Sequence, residues 1–177
     1  MPINPPWAPQ SVPFWPAGYQ ADTELFNNLG QQTLGWLANR FMFRATRNAA
    51  QGIVSNTNTL ITYDTILEDP YSGWQTLQPA GWTVPFTGWY EITTTSTNTG
   101  AAVFLATGAN ISGLYNFFSA DILTSASFAG GSHGTYTVQL NGGTDYVSGF
   151  IYSGNGGSTT GSTNGFRCSI EILYLSQ

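Results

Sequence analysis

The chain is expected to fold as an all-β protein, and three features of the sequence lead there. Gly81-Trp82-Thr83-Val84-Pro85-Phe86-Thr87-Gly88-Trp89-Tyr90-Glu91-Ile92 alternates large apolar with polar residues, halts at Pro85, turns at Thr87-Gly88 and alternates again. The same short Thr-, Tyr- and Phe-rich runs, punctuated by Gly, Asn and Ser, recur on either side of it. After about Asn39 no run repeats at the helical spacing of three and four residues.

Composition bounds the rest. The 177 residues allow one ordinary domain plus an accessory segment, and 41% apolar residues can build a core. Only 7% of residues are Asp, Glu, Lys or Arg, against roughly a quarter in ordinary soluble domains. Flanks with so little like charge suit a protein whose sides meet copies of itself, so a homo-oligomer is expected. The basic residues are Arg40, Arg44, Arg47 and Arg167, the net charge is −5, and no basic run is offered to phosphates. Nucleic acid is excluded as a partner on that ground. No stretch reaches the roughly 18 apolar residues of a membrane span, and the first residues lack the basic start and apolar run of a secretion signal.

Residues 1–20 are expected to form an extended arm. Six of the nine prolines fall within residues 1–18 and deny the segment helix or central strand. Trp7, Phe14 and Trp15 are interspersed among them, and so many large aromatics suit an arm that inserts into grooves on a neighbour better than a solvated tail. Residues 21–39 change texture to a short amphipathic helix with Asp22 or Thr23 as its N-cap; Leu25, Phe26, Leu29, Thr33, Trp36 and Leu37 share one face. Gly30 and Gly35 weaken it, so it needs a partner, either the base of the β domain or its own copies about a symmetry axis.

Residues 40–177 then read as strands and turns. The expected strands are Arg40–Thr46, Thr59–Leu67, Trp82–Val84, Trp89–Thr97, Ala101–Thr107, one or two within Phe117–Phe128, Thr135–Leu140, Asp145–Tyr152 and Phe166–Leu175. Between them, Gln51–Asn58, Gly108-Ala109-Asn110, Gly130–Gly134 and Ser153–Gly165 read as loops or turns, and Asn141-Gly142-Gly143 as the turn of a hairpin. Eight to ten short strands in about 137 residues are what a two-sheet jelly roll requires.

Few residues suggest chemistry. The single histidine, His133, lies in a glycine-rich stretch, so a Ser-His-Asp set has little to stand on. Asp121 and Asp145 sit in or beside strands and read as edge or loop groups before glycosidase carboxylates. Asp64, Glu68 and Asp69 form the one local acidic cluster, a solvated turn or a calcium site. Cys168 cannot form a disulfide within the chain and reads as a buried core thiol. No phosphate loop, zinc spacing or dinucleotide fingerprint occurs, so no cofactor is expected and the protein reads as a non-enzyme. Tyr71, Trp74 and Trp82 offer faces for stacking sugars, with Asn155, Thr159, Thr160 and Asn164 as hydrogen-bonding groups; a place in the core or at an oligomer axis suits the same aromatics.

From Arg40 onward the order of motifs resembles the C1q/TNF-like jelly roll. Phe43-Arg44-Ala45 resembles its leading strand, Ile66-Leu67-Glu68-Asp69 its aspartate turn, and Trp82-Thr83-Val84-Pro85-Phe86-Thr87-Gly88-Trp89-Tyr90 its Tyr-x-x-Pro-x-x-Gly-x-Tyr variant. Val138-Gln139-Leu140-Asn141-Gly142-Gly143 resembles the strand and turn before its last strands, while Phe166-Arg167-Cys168-Ser169-Ile170 departs from the usual Phe-x-Gly. This resemblance implies a trimeric head. Trp15-Pro16-Ala17-Gly18-Tyr19-Gln20-Ala21-Asp22-Thr23-Glu24-Leu25-Phe26-Asn27 is similar to the opening of small virion proteins of actinobacterial tailed phages. That second resemblance implies a minor tail or capsid-decorating component, docked to other virion proteins through residues 1–39, with a host-surface glycan as a further partner.

Overall fold

Alternation along the chain becomes two facing sheets. The computed structural model describes residues 41–76, 81–99, 105–117, 121–123, 130–159 and 167–177, all within a unit spanning Phe41–Gln177. The predicted arm and helix lie outside the described residues. Among those described, the strands in chain order are β1 (Phe41–Arg47), β2 (Gly52–Ile53), β3 (Asn58–Leu60), β4 (Thr65–Glu68), β5 (Trp74–Gln75), β6 (Gly81–Thr83) and β7 (Gly88–Asn98). They continue with β8 (Leu105–Ile111), β9 (Leu114–Phe117), β10 (Asp121–Leu123), β11 (Gly130–Leu140), β12 (Tyr146–Ser153), β13 (Gly157–Ser158) and β14 (Cys168–Ser176).

One sheet runs β10-β11-β7-β14-β1-β4, and the other runs β5-β6-β12-β8-β9. In the second, β3 also pairs with β12, so β6 takes the Tyr146 end of that strand and β3 the Phe150–Tyr152 stretch. Every pairing between named strands is antiparallel, and β7 is bonded along its whole length to β11, from Gly88↔Leu140 to Asn98↔Gly130. The all-β jelly roll expected from the sequence is the fold observed.

The period-2 pattern of β7 explains why it lies at the centre. Tyr90, Ile92, Thr94, Ser96 and Asn98 are buried, whereas Trp89, Glu91, Thr93 and Thr95 face away from the core. The core divides along its length. Towards the Gly88 end, Phe43 stacks on Trp74 (5.3 Å between ring centroids) and on Trp82 (5.9 Å), and Tyr90 meets Trp82 and Tyr174 edge to face. Towards the Asn98 end the sheets are joined by hydroxyls and amides. Ser96 Oγ and Thr107 Oγ1 lie 2.7 Å apart, and Asn98 Nδ2 donates to Ser153 Oγ and to the Gly156 carbonyl, both at 3.0 Å.

Both ends of the domain leave from the aromatic end. Phe41 pairs with Leu173, and Ser176 pairs with Trp89, while the far ends of the same strands carry Arg47, Cys168 and Asn98. Among the described residues, Val54–Thr57 and Gly154–Gly156 form a polar tip at that far end.

Five local expectations are corrected. Thr59–Leu67 is not one strand: β3 joins one sheet and β4 the other, and Ile61–Asp64 crosses between them. The Asp64 carboxylate secures the crossing by accepting the N–H groups of Asn48 and Ala49, each at 2.8 Å. Gly108-Ala109-Asn110 is no turn but the middle of β8; the turn is Ser112-Gly113, both at positive φ (46° and 89°). A side chain at Gly108 would run into the Asn116 carbonyl and the Phe150 ring, so the glycine marks close approach within a sheet. Gly130–Gly134 is the start of β11, where pairing with Thr94–Asn98 overrides loop-like composition. Asn141-Gly142-Gly143 does not make a hairpin, because β11 and β12 belong to different sheets. It is a corner, held where Gly143 N–H donates to the Val84 carbonyl at 2.7 Å and Asn141 N–H to Asp145 Oδ2 at 2.7 Å. Finally, the polar loop Gln51–Asn58 contains β2, which pairs with β13 from the stretch read as a flexible loop.

Gly108→Val should destabilise the domain by about 3 kcal/mol, since the new side chain must displace backbone as well as a ring. Urea denaturation followed by tryptophan fluorescence measures this, with Gly143→Ala as a control of another kind: its side chain meets open space but at positive φ.

Candidate functional site

Of the three aromatics offered for sugar stacking, Trp82 belongs to the core, and Trp74 and Tyr71 are half-buried against it. Trp82 is 0% exposed, so it presents no face to solvent, and its place in the core corrects the stacking assignment. Its indole N–H donates to Asp69 Oδ1 at 3.1 Å. Trp74 is half-buried, stacked on Phe43 with Tyr63 against it edge to face. Tyr71 is half-buried against Phe86, and burial pushes its phenol up to about 12.

Asp69 organises this corner. Its Oδ1 also accepts the Gly73 N–H at 3.0 Å, and its Oδ2 accepts the Trp74 N–H at 2.9 Å, so one carboxylate ties the turn, β5 and β6 together. Asp69→Ala should cost about 3 kcal/mol by stranding three donors, and Asp69→Asn less, because the amide oxygen still accepts. Thermal melts of the two variants separate those outcomes.

The hydrogen-bonding partners named with the aromatics are elsewhere. Trp82 pairs with Val147 near one end of β12, whereas Asn155 and Thr159 follow Ser153 at its other end. Six residues of extended chain separate Val147 from Ser153, about 20 Å. Thr159 is itself buried, its Oγ1 accepting the Gln51 N–H at 2.8 Å, and Thr160 and Asn164 lie outside the described residues. The structure therefore splits the predicted sugar site into two ends of the sandwich.

The acidic cluster disperses as well. Glu68 pairs with Arg44 at 3.8 Å and Asp64 with Arg47 at 3.6 Å, while Asp69 is engaged as described. Among the described residues no group of three His, Cys, Asp or Glu is placed to hold a metal ion. Burial alone would raise the Asp64 carboxyl, but the N–H groups of Ala49 and Asn48, the Thr65 hydroxyl and Arg47 outweigh it and hold the group below the usual range. A depressed folded value stabilises the fold above the unfolded pKa of about 3.9, and the contribution disappears as pH falls through the folded value. The gap in melting temperature between the native chain and Asp64→Asn should therefore be present at neutral pH and close in strong acid.

Three groups with potential chemistry remain. On the outer face of the sheet that holds β7, His133, Thr95 and Ser169 stand in one row, with Asp121 the register partner of His133, and Thr95 Oγ1 lies 3.3 Å from His133 Nδ1. His133 is exposed on a sheet face, so water solvates the imidazole that would have to activate a hydroxyl. Asp145 accepts from Asn141 and Ser112 and braces the corner between β11 and β12. Cys168 is buried, its sulfur 3.4 Å from the Thr97 N–H; burial pushes the thiol up, against the smaller pull of Thr97. It should resist a disulfide reagent in the native protein and react fully in denaturant, and rapid native labelling would show that the sheets open there.

Two surfaces were not legible in the sequence as surfaces. On the outer face of β7 and β11, Thr93 and Thr135 face each other with hydroxyls 3.0 Å apart, flanked by Thr95, Thr137, Gln139 and the 43% exposed ring of Trp89. At the tip, Val54, Ser55, Asn56 and Thr57 are exposed beside Asn155. Period-2 spacing contained the first signal, but only strand order shows that the two threonine runs are neighbours.

No family model matches the chain, and no curated protein matches it. Solved structures do. Murine APRIL at pH 8.0 superposes with a TM-score of 0.51 at 12% identity, over 75% of this chain and 98% of that one. Eiger TNF from S. frugiperda superposes with a TM-score of 0.51 at 10% identity, over 78% of this chain and 95% of that one. At such identities the likeness is one of fold, and the fold is a TNF-like jelly roll.

Proposed function

We propose that the protein is a non-catalytic, homotrimeric jelly-roll component of a phage virion, a minor tail protein held to the particle by residues 1–39. The observation that carries the trimeric head is the TNF-like jelly roll itself, which supports the self-association implied by the C1q/TNF-like motifs. Low charge adds to it: the outer face of β7 and β11 offers threonines and Trp89, with little like-charge repulsion between copies. Its non-catalytic character is supported by the dispersal of the acidic residues and the solvated position of His133.

The virion assignment rests on the resemblance of residues 15–27 to phage virion proteins. In this reading Trp7, Phe14 and Trp15 of the arm and Leu25, Phe26, Leu29 and Trp36 of the helix make the docking contacts. A capsid-decoration role uses the same anchor on a different part of the particle. A host-glycan-binding role is favoured by a separate observation, the uncharged loops Val54–Thr57 and Gly154–Gly156.

Light scattering on the purified protein at micromolar concentration should give about three times the 19.0 kDa of one chain, and a monomer mass would overturn the trimer. Electron microscopy of source phage particles labelled with antibody against residues 59–177 should place the label on the tail; label over the capsid selects the decoration role, and unlabelled particles sink the virion assignment. Deleting residues 1–18 should leave the head folded but abolish incorporation.

A further inference from the structure

We infer that the tip formed by the Val54–Thr57 loop and the Gly154–Gly156 turn is a binding site for a neutral glycan. This deepens the glycan-binding role above and rests on it, while moving the site about 20 Å from the aromatics first singled out, the length of the β12 segment between them.

The tip has the chemistry of an uncharged polyol site. From Asn48 to Thr59 and from Ser153 to Thr159 no residue carries a charge. Arg47 and Asp64, which flank the region, are paired with each other at 3.6 Å, and Arg47 is spent further on the carbonyls of Ala49 (2.9 Å) and Thr62 (2.7 Å). Within these two loops a phosphate, sulfate or carboxylate ligand would find no cation and a metal ion no carboxylate; the exposed Arg167, next to Cys168 at this end of the sandwich, is the nearby charge outside them. What is presented is amide and hydroxyl: Ser55, Asn56, Thr57 and Asn155 are exposed there. They are tied into one network, with Asn56 Nδ2 donating to Ser55 Oγ at 3.1 Å and Thr57 Oγ1 to the Ser55 carbonyl at 3.2 Å, and a sugar hydroxyl would add to or exchange with these bonds. Beside them stands an apolar surface, Val54 at 60% exposure, with the half-buried Tyr152 close enough to donate its hydroxyl to Asn56 Oδ1 at 3.2 Å. Sugars need that combination, an apolar patch for C–H faces and planar amides for paired hydroxyls.

The loops are also held in place before any ligand arrives. Asn56 N–H donates to the Ser153 carbonyl at 2.9 Å, and Ser55 Oγ donates to the Gly154 carbonyl at 2.7 Å. Beneath, Asn98 fastens Gly156 and Ser153 to the core, and β2 pairs with β13. Asn56 itself sits at φ 54°, a conformation that asparagine tolerates better than most side chains. Binding to fixed loops loses little entropy on ordering.

The test uses the full chain against neutral polysaccharides (mannan, galactan, arabinan and dextran) and against dextran sulfate, by affinity electrophoresis and calorimetry. Retention by at least one neutral polymer and none by dextran sulfate is expected. Asn56→Gly keeps the positive φ while removing the amide; combined with Asn155→Ala it should weaken binding about tenfold or more, near 1.4 kcal/mol, with mass and melting temperature unchanged. No binding to any neutral polymer overturns the inference, as does binding that the double variant leaves intact, or preference for dextran sulfate. Trp74→Ala serves as the second arm: loss of binding in a folded Trp74→Ala protein, with the tip variant unaffected, would return the site to the aromatic end. Because these measurements use purified protein, they fail or succeed independently of where the antibody label falls on a particle.

Discussion

Between the two sheets, the half of the core nearest the tip is built from Thr94, Ser96, Asn98, Thr107 and Ser153, side chains that lose water on burial and must recover each hydrogen bond inside. This requirement adds a directional constraint that apolar packing alone does not supply. Thr107 Oγ1 reaches the Phe150 carbonyl at 3.0 Å as well as Ser96, and Asn98 reaches across to Ser153 and Gly156, so one sheet cannot slide on the other without stranding several polar groups. The aromatic half supplies the hydrophobic drive, with Phe43, Trp74, Trp82, Tyr90 and Tyr174 in mutual contact. The polar half specifies the alignment. A chain with so little charge at its surface thus keeps much of its directional bonding inside and at the joints between strands.

Much of the fold was legible because β-sheet burial repeats every two residues and the chain obeys that rule along most of β7 and along β14, whereas β12 is buried over Val147–Ile151 without alternation. The stretch around Trp82 and Trp89 alternates because one side of each strand is core. What alternation does not encode is which sheet a strand joins. Thr59–Leu67 reads as one strand and becomes two, because the crossing at Ile61–Asp64 is fixed by hydrogen bonds from Asn48 and Ala49, residues distant in the sequence. Glycine misled in both directions: Gly108 and Gly130–Gly134 lie in strands because partners approach too closely for side chains or pair fully with β7. Asn141-Gly142-Gly143 has the composition of a hairpin, yet its bonds to Val84 and Asp145 turn the chain from one sheet to the other.

The candidate site was less legible, and the reason is geometric. Trp82 and Asn155 are plausible partners by type, but β12 places them at opposite ends, and exposure distinguishes a tryptophan in the core from one that meets a ligand. Residue type alone carries neither fact. Of the tip, the sequence pointed to Asn155 but not to Val54–Thr57, residues common in loops; that the two loops lie side by side, bonded to each other, emerges only in the fold. The outer threonine face depended on strand order in the same way, since Thr93 and Thr135 are distant in sequence and adjacent across β7 and β11.

The entry of the chain at the aromatic end also has a mechanical side. A pull between Phe41 and the tip runs parallel to β1, β7 and β14, and the bonds of an antiparallel ladder stand perpendicular to that direction. The ladder is therefore loaded in shear, with bonds from Phe41↔Leu173 through Arg47↔Cys168 sharing the force together, instead of opening one after another as in peeling. A domain built in this way can transmit tension along its strands while they remain paired, and it yields more readily to forces applied sideways at the short edge strands β4 and β10.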